Sequence, residues 1–252
     1  MTQPAHSEHG PIPSYYSVHT MHVPGADPER DKIVQRQSDE FPDLCVHDDP
    51  TRRGILATWT EALKCAKATS SAEWSLIIQD DAIPLPGWEM VLPIALAHSP
   101  SPVLSLCHFG DYGKKLAKHG TPYGTATHSV WGQAVAYHRS VLAELIELAE
   151  DVAALNSTTY NKWDDRLPGV LNLMKGHGTT AVTTRALFDH PHLKSTVGNA
   201  GNRYRHPGLT ILDPGPDWSA KPAAHHSDRK PHPIMFQLAS TLTGKTQEEL
   251  GR

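Results

Sequence analysis

The stretch WSLIIQDDA, residues 74–82, decides the fold that we expect. Its first five residues are mostly apolar and have polar residues on either side, which is typical of a strand buried on both faces of a parallel sheet. The strand is followed by two adjacent carboxylates, Asp80 and Asp81. Because open α/β sheets bind ligands at the carboxyl ends of their strands, the sequence predicts a ligand site here.

The segments around this strand alternate between β-rich apolar runs and runs with helical periodicity. This pattern predicts an α/β fold in which helices flank a mostly parallel central sheet. With 252 residues the chain is long enough for one substantial domain. We predict a flexible segment over 1–13, the folded domain over 14–212, and a Pro- and His-rich linker with a C-terminal helix over 213–252. Strands are expected at 15–23, 43–47, 103–108, 130–137 and 179–187, and helices at 51–67, 140–155, 167–174 and within 233–250.

Composition limits the classes of protein only loosely. A net charge of -4 argues against a surface that attracts nucleic acid everywhere, but it is compatible with a local basic groove. The three cysteines, Cys45, Cys65 and Cys107, form no CxxC pair, and we interpret them as core thiols in a reducing compartment. The 17 histidines show no spacing typical of zinc ligands. With no signal-peptide pattern and no long apolar run, we expect a cytoplasmic protein.

The acidic pair itself points to a metal. Two adjacent ionised carboxylates repel each other, and burying both of them without partners is costly. A hard divalent cation that prefers oxygen ligands, Mg²⁺ or Mn²⁺, offsets that repulsion and can also bind a diphosphate. We therefore predict that Asp80 and Asp81 are metal ligands. The alternative is a solvated Asp-Asp turn after a strand.

Three segments resemble one family of enzymes. WSLIIQDDAIPLPGW, residues 74–88, is similar to the strand, acidic motif and turn of GT-A glycosyltransferases, especially the lipopolysaccharide-type enzymes with LEDDA at this place. GILATWTEALKCA, residues 54–66, resembles the helix that precedes the motif, and WGQAVAYHRSVL, residues 131–142, resembles a later strand and the acceptor-side turn. The likeness covers roughly residues 14–205. It implies a GT-A fold and metal-dependent transfer of a sugar from a nucleotide-diphosphate sugar, with a UDP-sugar as first candidate, to an acceptor hydroxyl.

The resemblance also implies roles for residues around the motif. Asp81 would coordinate the metal bound to the nucleotide diphosphate, and Asp80 would contact the metal, the ribose or the donor sugar. Gln79 departs from the family pattern, because many relatives have an acidic residue there. FDHPHLKSTVGN, residues 188–199, is similar to the late loop that returns a histidine to the metal. His192, or His190 in its place, is the candidate additional ligand, and an ordinary loop histidine is the alternative.

A second group of candidates lies after the predicted strand at 43–47. Similar enzymes often place an acidic residue there on the nucleobase or ribose, which makes Asp48 a candidate donor contact. Arg52 or Arg53 would then lie beside the diphosphate at the start of the next helix, and Gly54 would allow close approach. A capping turn with surface arginines explains the same residues equally well.

A second acidic pair, Asp164-Asp165, occurs in NKWDDRLPGVL, residues 161–171. This segment resembles the one from which GT-A enzymes present an acidic group to the acceptor. A carboxylate within reach of the acceptor hydroxyl would take its proton as the sugar carbon is attacked. The alternative is a helix N-cap, and an enzyme that retains anomeric configuration needs no such base.

The acceptor is the least defined part of the prediction. Two basic stretches, at 114–119 and 203–206, fit phosphate-rich partners. The stretch at 203–206 also contains a tyrosine that could stack on a base. Some phage glycosyltransferases of this type modify hydroxymethylated DNA bases, so DNA in the host cytoplasm and a saccharide both stay open as acceptors. A sugar-phosphate nucleotidyltransferase is one alternative, but HTMHVPGADPER, residues 19–30, is a poor match to the Gly-rich, basic loop expected after the first strand of such an enzyme. A non-catalytic His-rich interaction protein is the other alternative.

Overall fold

The computed structural model of the chain describes residues 15–69, 71–108, 112–118, 120–126, 132–160, 164–175, 180–191, 193 and 233–250. The strands in this part of the chain are β1 (Tyr16–His22), β2 (Cys45–Asp48), β3 (Trp74–Gln79), β4 (Ile83–Pro84), β5 (Val103–Ser105), β6 (Tyr123–Ala126), β7 (Ala134–His138), β8 (Thr180–Thr183) and β9 (Phe188–Asp189). The helices are α1 (Pro28–Glu40), α2 (Ile55–Thr69), α3 (Trp88–Ala97), α4 (Tyr112–Ala117), α5 (Arg139–Ala154), α6 (Leu167–Lys175) and α7 (Pro233–Thr243). None of these helices is long and apolar enough to span a bilayer.

Seven strands form one central sheet in the order β2-β1-β3-β7-β5-β8-β6. The pairs β1-β2, β1-β3 and β5-β8 are parallel, whereas β7 runs antiparallel to both β3 and β5, and β6 runs antiparallel to β8. Five of the seven strands therefore run in the same direction. The predicted fold class, a mostly parallel sheet flanked by helices, is confirmed. A separate two-stranded sheet pairs β4 with β9.

The core lies on both faces of this sheet. In β3, Ile77 contributes to one apolar cluster, and its neighbours Leu76 and Ile78 contribute to the other, because successive side chains of a strand point to opposite faces. The first cluster is covered by α2, α5, α6 and α7, and the second by α3. Helix α7 supplies Met235 and Phe236, so the predicted C-terminal helix packs on the main core.

The predicted and observed elements differ mainly where the chain is polar or turns sharply. The helix α1 was not predicted, because it buries two polar residues, Arg30 and Gln37, with only Ile33 and Val34 as apolar partners. Its start does carry a recognisable signal, with Asp27 as N-cap and proline in the first turn. The single strand expected at 179–187 is instead β8 and β9, separated by a bend, and α3, α4, β4 and β6 were not predicted.

The interpretation of all three cysteines as core thiols is only partly right. Cys107 is fully buried in the second cluster, as expected. Cys45 and Cys65 are half-buried, and their sulfurs lie 3.6 Å apart. Strand β2 is at the edge of the sheet and α2 crosses over it, which brings these two thiols together although 20 positions separate them in sequence.

Candidate active site at the exit of strand β3

The Asp80-Asp81 pair lies in the turn that follows β3, at the carboxyl end of the central strands. Both residues are buried, with 4% and 3% of their surfaces exposed. Strands β1 and β2 run parallel to β3 and end at the same edge, at His22 and Asp48. The alternative of a solvated Asp-Asp turn therefore does not describe this pair.

Arg30 contacts both carboxyl groups of the pair, although no pattern in the sequence points to this residue. Its Nη1 donates to Asp80 Oδ1 and its Nη2 donates to Asp81 Oδ2 at 2.7 Å, so one guanidinium bridges both carboxylates. Burial acts to lower the pKa of Arg30, but Asp81 and Asp80 outweigh it and raise that pKa. Arg30 lies in the first turn of α1, which is fixed by the hydrogen bond from Glu29 N to Asp27 Oδ1 at 2.9 Å.

Histidines approach both carboxylates. His22 Nδ1 lies 3.3 Å from Asp80 Oδ2, which also accepts from Val23 N at 3.3 Å. His190 Nε2 lies 3.1 Å from Asp81 Oδ2. Burial acts to lower the pKa of each histidine, but the neighbouring aspartate outweighs it and raises that pKa above the usual value. For Asp81, burial acts to raise the pKa, and His190 and Arg30 hold it below its usual value.

The small β4-β9 sheet explains how a late segment reaches this site. Ile83 is paired with Asp189, so the chain after β9 passes directly beside the turn that carries Asp81. This pairing puts His190 next to the acidic pair. His190 is one of the two histidines that the sequence offered as an additional ligand. The other predicted ligand, His192, lies outside the described residues.

One oxygen of the pair has no hydrogen-bond partner among the described residues. Both oxygens of Asp80 accept hydrogen bonds from protein donors, whereas the buried Oδ1 of Asp81 has no hydrogen-bond partner among the described residues. A carboxylate oxygen next to an imidazole is a donor set that suits Mn²⁺ or Mg²⁺ with further ligands from water or phosphate. The residues therefore fit a cation on Asp81 and His190, with Asp80 engaged mainly by Arg30 and His22.

Gln37, also missed from the sequence, holds the turn in place. Its Nε2 donates to the carbonyl oxygens of Gln79 and Ala82, at 2.9 and 2.7 Å, and its Oε1 accepts from Thr20 Oγ1 at 2.8 Å. The two carbonyls flank the Asp80-Asp81 dipeptide. Because this side chain is fully buried, the turn is fixed from α1 and not only from β3.

The segment after β2 reaches the same edge of the sheet but is largely engaged with itself. Asp48 is exposed and pairs in register with His22 of β1. The buried Asp49 accepts from Gly54 N at 3.1 Å and from Arg53 Nε at 3.2 Å, and Arg53 also binds Glu61 at 2.5 and 2.9 Å. These contacts match the capping interpretation of Asp49 and Arg53.

Two further candidates in this segment have unusual backbone conformations. Arg52 is exposed and has a φ of 56°, and Gly54 has a φ of 110°. The value at Gly54 is one that residues with a Cβ rarely adopt, so glycine is needed there for the turn itself. Of the four predicted donor contacts, Asp48, Arg52 and Arg53 are exposed, and Arg53 is already paired with Asp49 and Glu61.

The second acidic pair, Asp164-Asp165, lies in the turn before α6 and is linked to the first. Asp164 is buried, and its Oδ2 accepts from Gln79 Nε2 at 3.2 Å. Gln79 directly precedes the Asp80-Asp81 dipeptide, so one side chain joins both acidic motifs. The backbone at Gly132 passes so close that an added Cβ would lie 3.0 Å from Asp164 Oδ2.

The surroundings of Asp164 and Asp165 raise the pKa of both carboxyls. Burial and the adjacent carboxylate of Asp165 raise the pKa of Asp164 well above its usual range. Burial also raises the pKa of Asp165 to about 6, although Arg166 acts in the opposite direction. A half-buried carboxyl with a pKa near 6 is ionised at neutral pH and is a stronger base than an ordinary aspartate.

The basic stretches are described only in part. Lys114, Lys115 and Lys118 are exposed on and just after α4. His119 and the second stretch, residues 203–206, lie outside the described residues.

Fold and site together define an α/β protein in which an acidic pair at the exit of β3 is linked through Gln79 to a second acidic pair in the turn before α6. Neither a protein-family model nor a curated protein matches the chain. Among solved structures, the chain is similar to a glycosyltransferase involved in the glycosylation of the major capsid of PBCV-1, with 15% identity, coverage of 71% of this chain and 94% of that one, and a TM-score of 0.42. It is also similar to A197 from STIV, with 11% identity, coverage of 84% and 99%, and a TM-score of 0.41. The sheet order itself is consistent with the GT-A arrangement implied by the sequence resemblance.

Proposed function

We propose that the protein is a metal-dependent glycosyltransferase that moves a sugar from a nucleotide-diphosphate sugar to an acceptor hydroxyl. The observation that carries this proposal is the buried Asp80-Asp81 pair at the exit of β3, with Asp81 Oδ1 lacking a hydrogen-bond partner in the part of the chain that the structure describes. The ligand edge of an α/β sheet is where such a pair is expected to act. The sequence resemblance to GT-A enzymes supports the same assignment.

Asp81 and His190 are the residues that would hold a divalent cation, Mn²⁺ or Mg²⁺. When bound, that cation supplies positive charge for the diphosphate of the donor and for the group that leaves. Arg30 and His22 hold Asp80 in its orientation by direct contact. Asp48 and Arg52, exposed at the same edge, are the first candidates for contacts to the nucleoside and the diphosphate.

Asp165 is the better candidate for the base that takes the proton of the acceptor hydroxyl. Burial holds its pKa at about 6, so at neutral pH it is ionised and ready to accept a proton. Asp164 is buried and accepts a hydrogen bond from Gln79, and its pKa is raised well above the usual range. These features suit Asp164 to holding the turn in position and not to taking up a proton at neutral pH. This division of roles applies to an inverting reaction.

The donor is proposed to be a UDP-sugar, and the acceptor a hydroxyl of a saccharide or of a hydroxymethylated base in DNA. The exposed lysines of α4 are compatible with a phosphate-bearing acceptor. Transfer assays with each acceptor class separate the two. Transfer to DNA should weaken steeply as salt rises, whereas transfer to a neutral saccharide should not.

The test is ligand-dependent stabilisation of the full chain. A ligand that binds only the folded state adds about 2.7 kcal/mol of stability at a hundred times its dissociation constant. We expect UDP or a UDP-sugar with Mn²⁺ to raise the melting temperature, and chelation to remove the effect. Asp81→Asn should abolish the metal-dependent part, and Asp151→Asn, an exposed position on α5, should keep it.

Two outcomes would redirect this proposal. Melting temperatures that stay constant across a panel of nucleotides and nucleotide sugars with metal would argue against any nucleotide-sugar enzyme. Release of pyrophosphate from a nucleoside triphosphate and a sugar phosphate would assign the same site to a nucleotidyltransferase.

A further inference from the structure

Four potential metal ligands meet on the face of the sheet covered by α2, and none of them belongs to the acidic site. They are His19 of β1, Cys45 and His47 of β2, and Cys65 of α2, and one ligand atom of each lies within 4.8 Å of the others. In β2, Cys45 and His47 are two positions apart and so point to the same face. His19 is the register partner of Cys45 in the neighbouring strand.

The spacing of these atoms fits a tetrahedral metal. The sulfurs of Cys45 and Cys65 are 3.6 Å apart, and His19 Nδ1 is 3.1 Å from His47 Nε2. In a tetrahedral zinc site, with Zn–S near 2.3 Å and Zn–N near 2.0–2.1 Å, two sulfurs lie about 3.8 Å apart and two nitrogens about 3.3 Å apart. Both observed separations are within a few tenths of an ångström of those values. We propose that His19, Cys45, His47 and Cys65 form a structural site for a thiophilic divalent cation, with zinc as the first candidate.

A hydrogen-bonded chain behind His19 presents the correct nitrogen to this site. His19 Nε2 lies 3.1 Å from Ser17 Oγ, which in turn donates to Ser75 Oγ at 3.2 Å. If Nε2 carries the proton and donates it to Ser17, the lone pair is on Nδ1, the atom that faces His47. Metal-ligating histidines generally have their second nitrogen held in this way, which fixes both the tautomer and the orientation of the ring.

The charges are also compatible with zinc. Burial and the proximity of His47 lower the pKa of His19 to about 4, and burial lowers that of His47, so both imidazoles are neutral and able to ligate at neutral pH. Burial and the neighbouring Cys65 raise the pKa of the Cys45 thiol to about 11, so this thiol is protonated without a metal. Binding of zinc would release two thiol protons to solvent, and two thiolates with two neutral imidazoles then give a centre with no net charge.

The position of the cluster indicates what the metal would do. Four protein ligands complete a tetrahedron and leave no open position for substrate, which is the arrangement of structural and not catalytic zinc. The cation would link the edge strand β2 to β1 and to α2 by direct bonds. Three of the four ligands are half-buried, so the cation has access from solvent. This inference does not depend on the proposed glycosyltransferase activity.

The experiment is metal analysis of the full chain purified without chelator. We expect about one equivalent of zinc per chain, and a cobalt-substituted protein with the absorption of thiolate-ligated tetrahedral Co²⁺. Cys65→Ser and His47→Asn should each lose most of the bound zinc and the thiolate band. Ser17→Ala should keep all four ligands and bind zinc about 10–100-fold more weakly, the usual effect of losing an outer-shell partner. His98→Asn, at an exposed histidine after α3, should change neither.

Several results would overturn the zinc site. Protein that neither contains zinc nor takes it up from a buffered solution has no such site. Zinc retained at full stoichiometry by both Cys65→Ser and His47→Asn would place the metal elsewhere. The sequence has three cysteines, and all three should react as free thiols in the denatured, unreduced chain. A count of one free thiol would show that Cys45 and Cys65 form a disulfide instead. Because the readout is metal content and not transfer, failure here leaves the proposed activity untouched.

Discussion

The two acidic pairs have the same composition and opposite surroundings. Asp80-Asp81 is bridged by the guanidinium of Arg30 and approached by two histidines, and the pKa of Asp81 is held low although burial acts to raise it. Asp164-Asp165 has the neutral amide of Gln79 as a donor, and burial raises the pKa of both carboxyls. The surroundings therefore lower the pKa of Asp81 at the exit of β3 and raise the pKa of both carboxyls in the turn before α6.

This contrast assigns different chemistry to the two pairs. A carboxylate that stays ionised can hold a cation, and one with a raised pKa can take a proton near neutral pH. Gln79 contacts Asp164 and directly precedes Asp80, so the two pairs are linked by a single residue. Each prediction below changes one side of this contrast and leaves the other intact.

The largest effect is expected at the proton-accepting pair. Asp165→Asn should lower kcat/KM by about 10²–10⁴-fold, the usual contribution of a general base. In the unaltered protein the rate should rise with pH up to about 6 and level off above it, because the base must be unprotonated. The pH profile of the variant should lose that rise. Asp151→Asn serves as the matched control.

Two outcomes would contradict this assignment. Full activity of Asp165→Asn with an unchanged pH profile would mean that no base acts there, as expected for a retaining reaction. Loss of the rise in Asp164→Asn, with Asp165→Asn unaffected, would move the role to the buried member of the pair.

The next largest effect is expected at the Asp80-Asp81 pair. Arg30→Met leaves two buried carboxylates without their shared cation, and breaking a buried ion pair in this way costs about 3–5 kcal/mol of unfolding free energy. Denaturant titration should show this loss, and Arg36→Met, at an exposed position of the same helix, should show little. If Arg30→Met does not fold, Arg30→Lys should be intermediate, because an ammonium cannot bridge both carboxylates as a guanidinium does.

Divalent cations make this variant a test of the metal site. In Arg30→Met, Mn²⁺ should restore more stability than it adds to the unaltered protein, since it can replace the missing positive charge between Asp80 and Asp81. A variant equally unstable with and without Mn²⁺ would show that the pair is a structural ion pair only, and the metal-dependent mechanism would lose its basis.

The sequence was sufficient for the buried strand β3 and for the position of the acidic pair that follows it. A continuous apolar run ending in two aspartates identifies a buried strand and its exit without tertiary information, and β3 is observed where it was predicted. The same holds for α5, whose apolar stripe is regular along its whole length. In both cases local pattern and tertiary burial agree.

The partners of the acidic pair could not be found in this way. Arg30 and Gln37 are polar residues on a polar helix, and they are buried because distant carboxylates and carbonyls satisfy them, which periodicity does not reveal. Gln79 looked only like a departure from the family pattern. Its role as a donor to Asp164, 85 positions away, depends on the fold.

A smaller effect is expected from Gln79→Glu, which restores the acidic residue of the related motif. The substitution removes the donor to Asp164 Oδ2 and adds a like charge beside it, at a cost of about 1–3 kcal/mol. The raised pKa values make this cost grow with pH, so the variant should be closer to the unaltered protein at pH 5 than at pH 8. Gln35→Glu, at an exposed position of α1, is the control. Equal stability of Gln79→Glu and the unaltered protein at pH 8 would mean that the amide bridge is not needed.

The smallest effect is expected from Asp164→Asn, and its sign is opposite. Burial raises the folded-state pKa of Asp164 above the unfolded value, so this carboxyl costs no stability at low pH and destabilises the protein as pH rises through the folded pKa. The asparagine is neutral throughout and keeps an oxygen to accept from Gln79, although its new amide donor offsets part of the gain. The melting temperature of the variant should match that of the unaltered protein near pH 4 and exceed it at pH 8. A variant that is less stable at pH 8 would show that the buried carboxylate is stabilised by charge, which would remove the contrast with Asp80-Asp81.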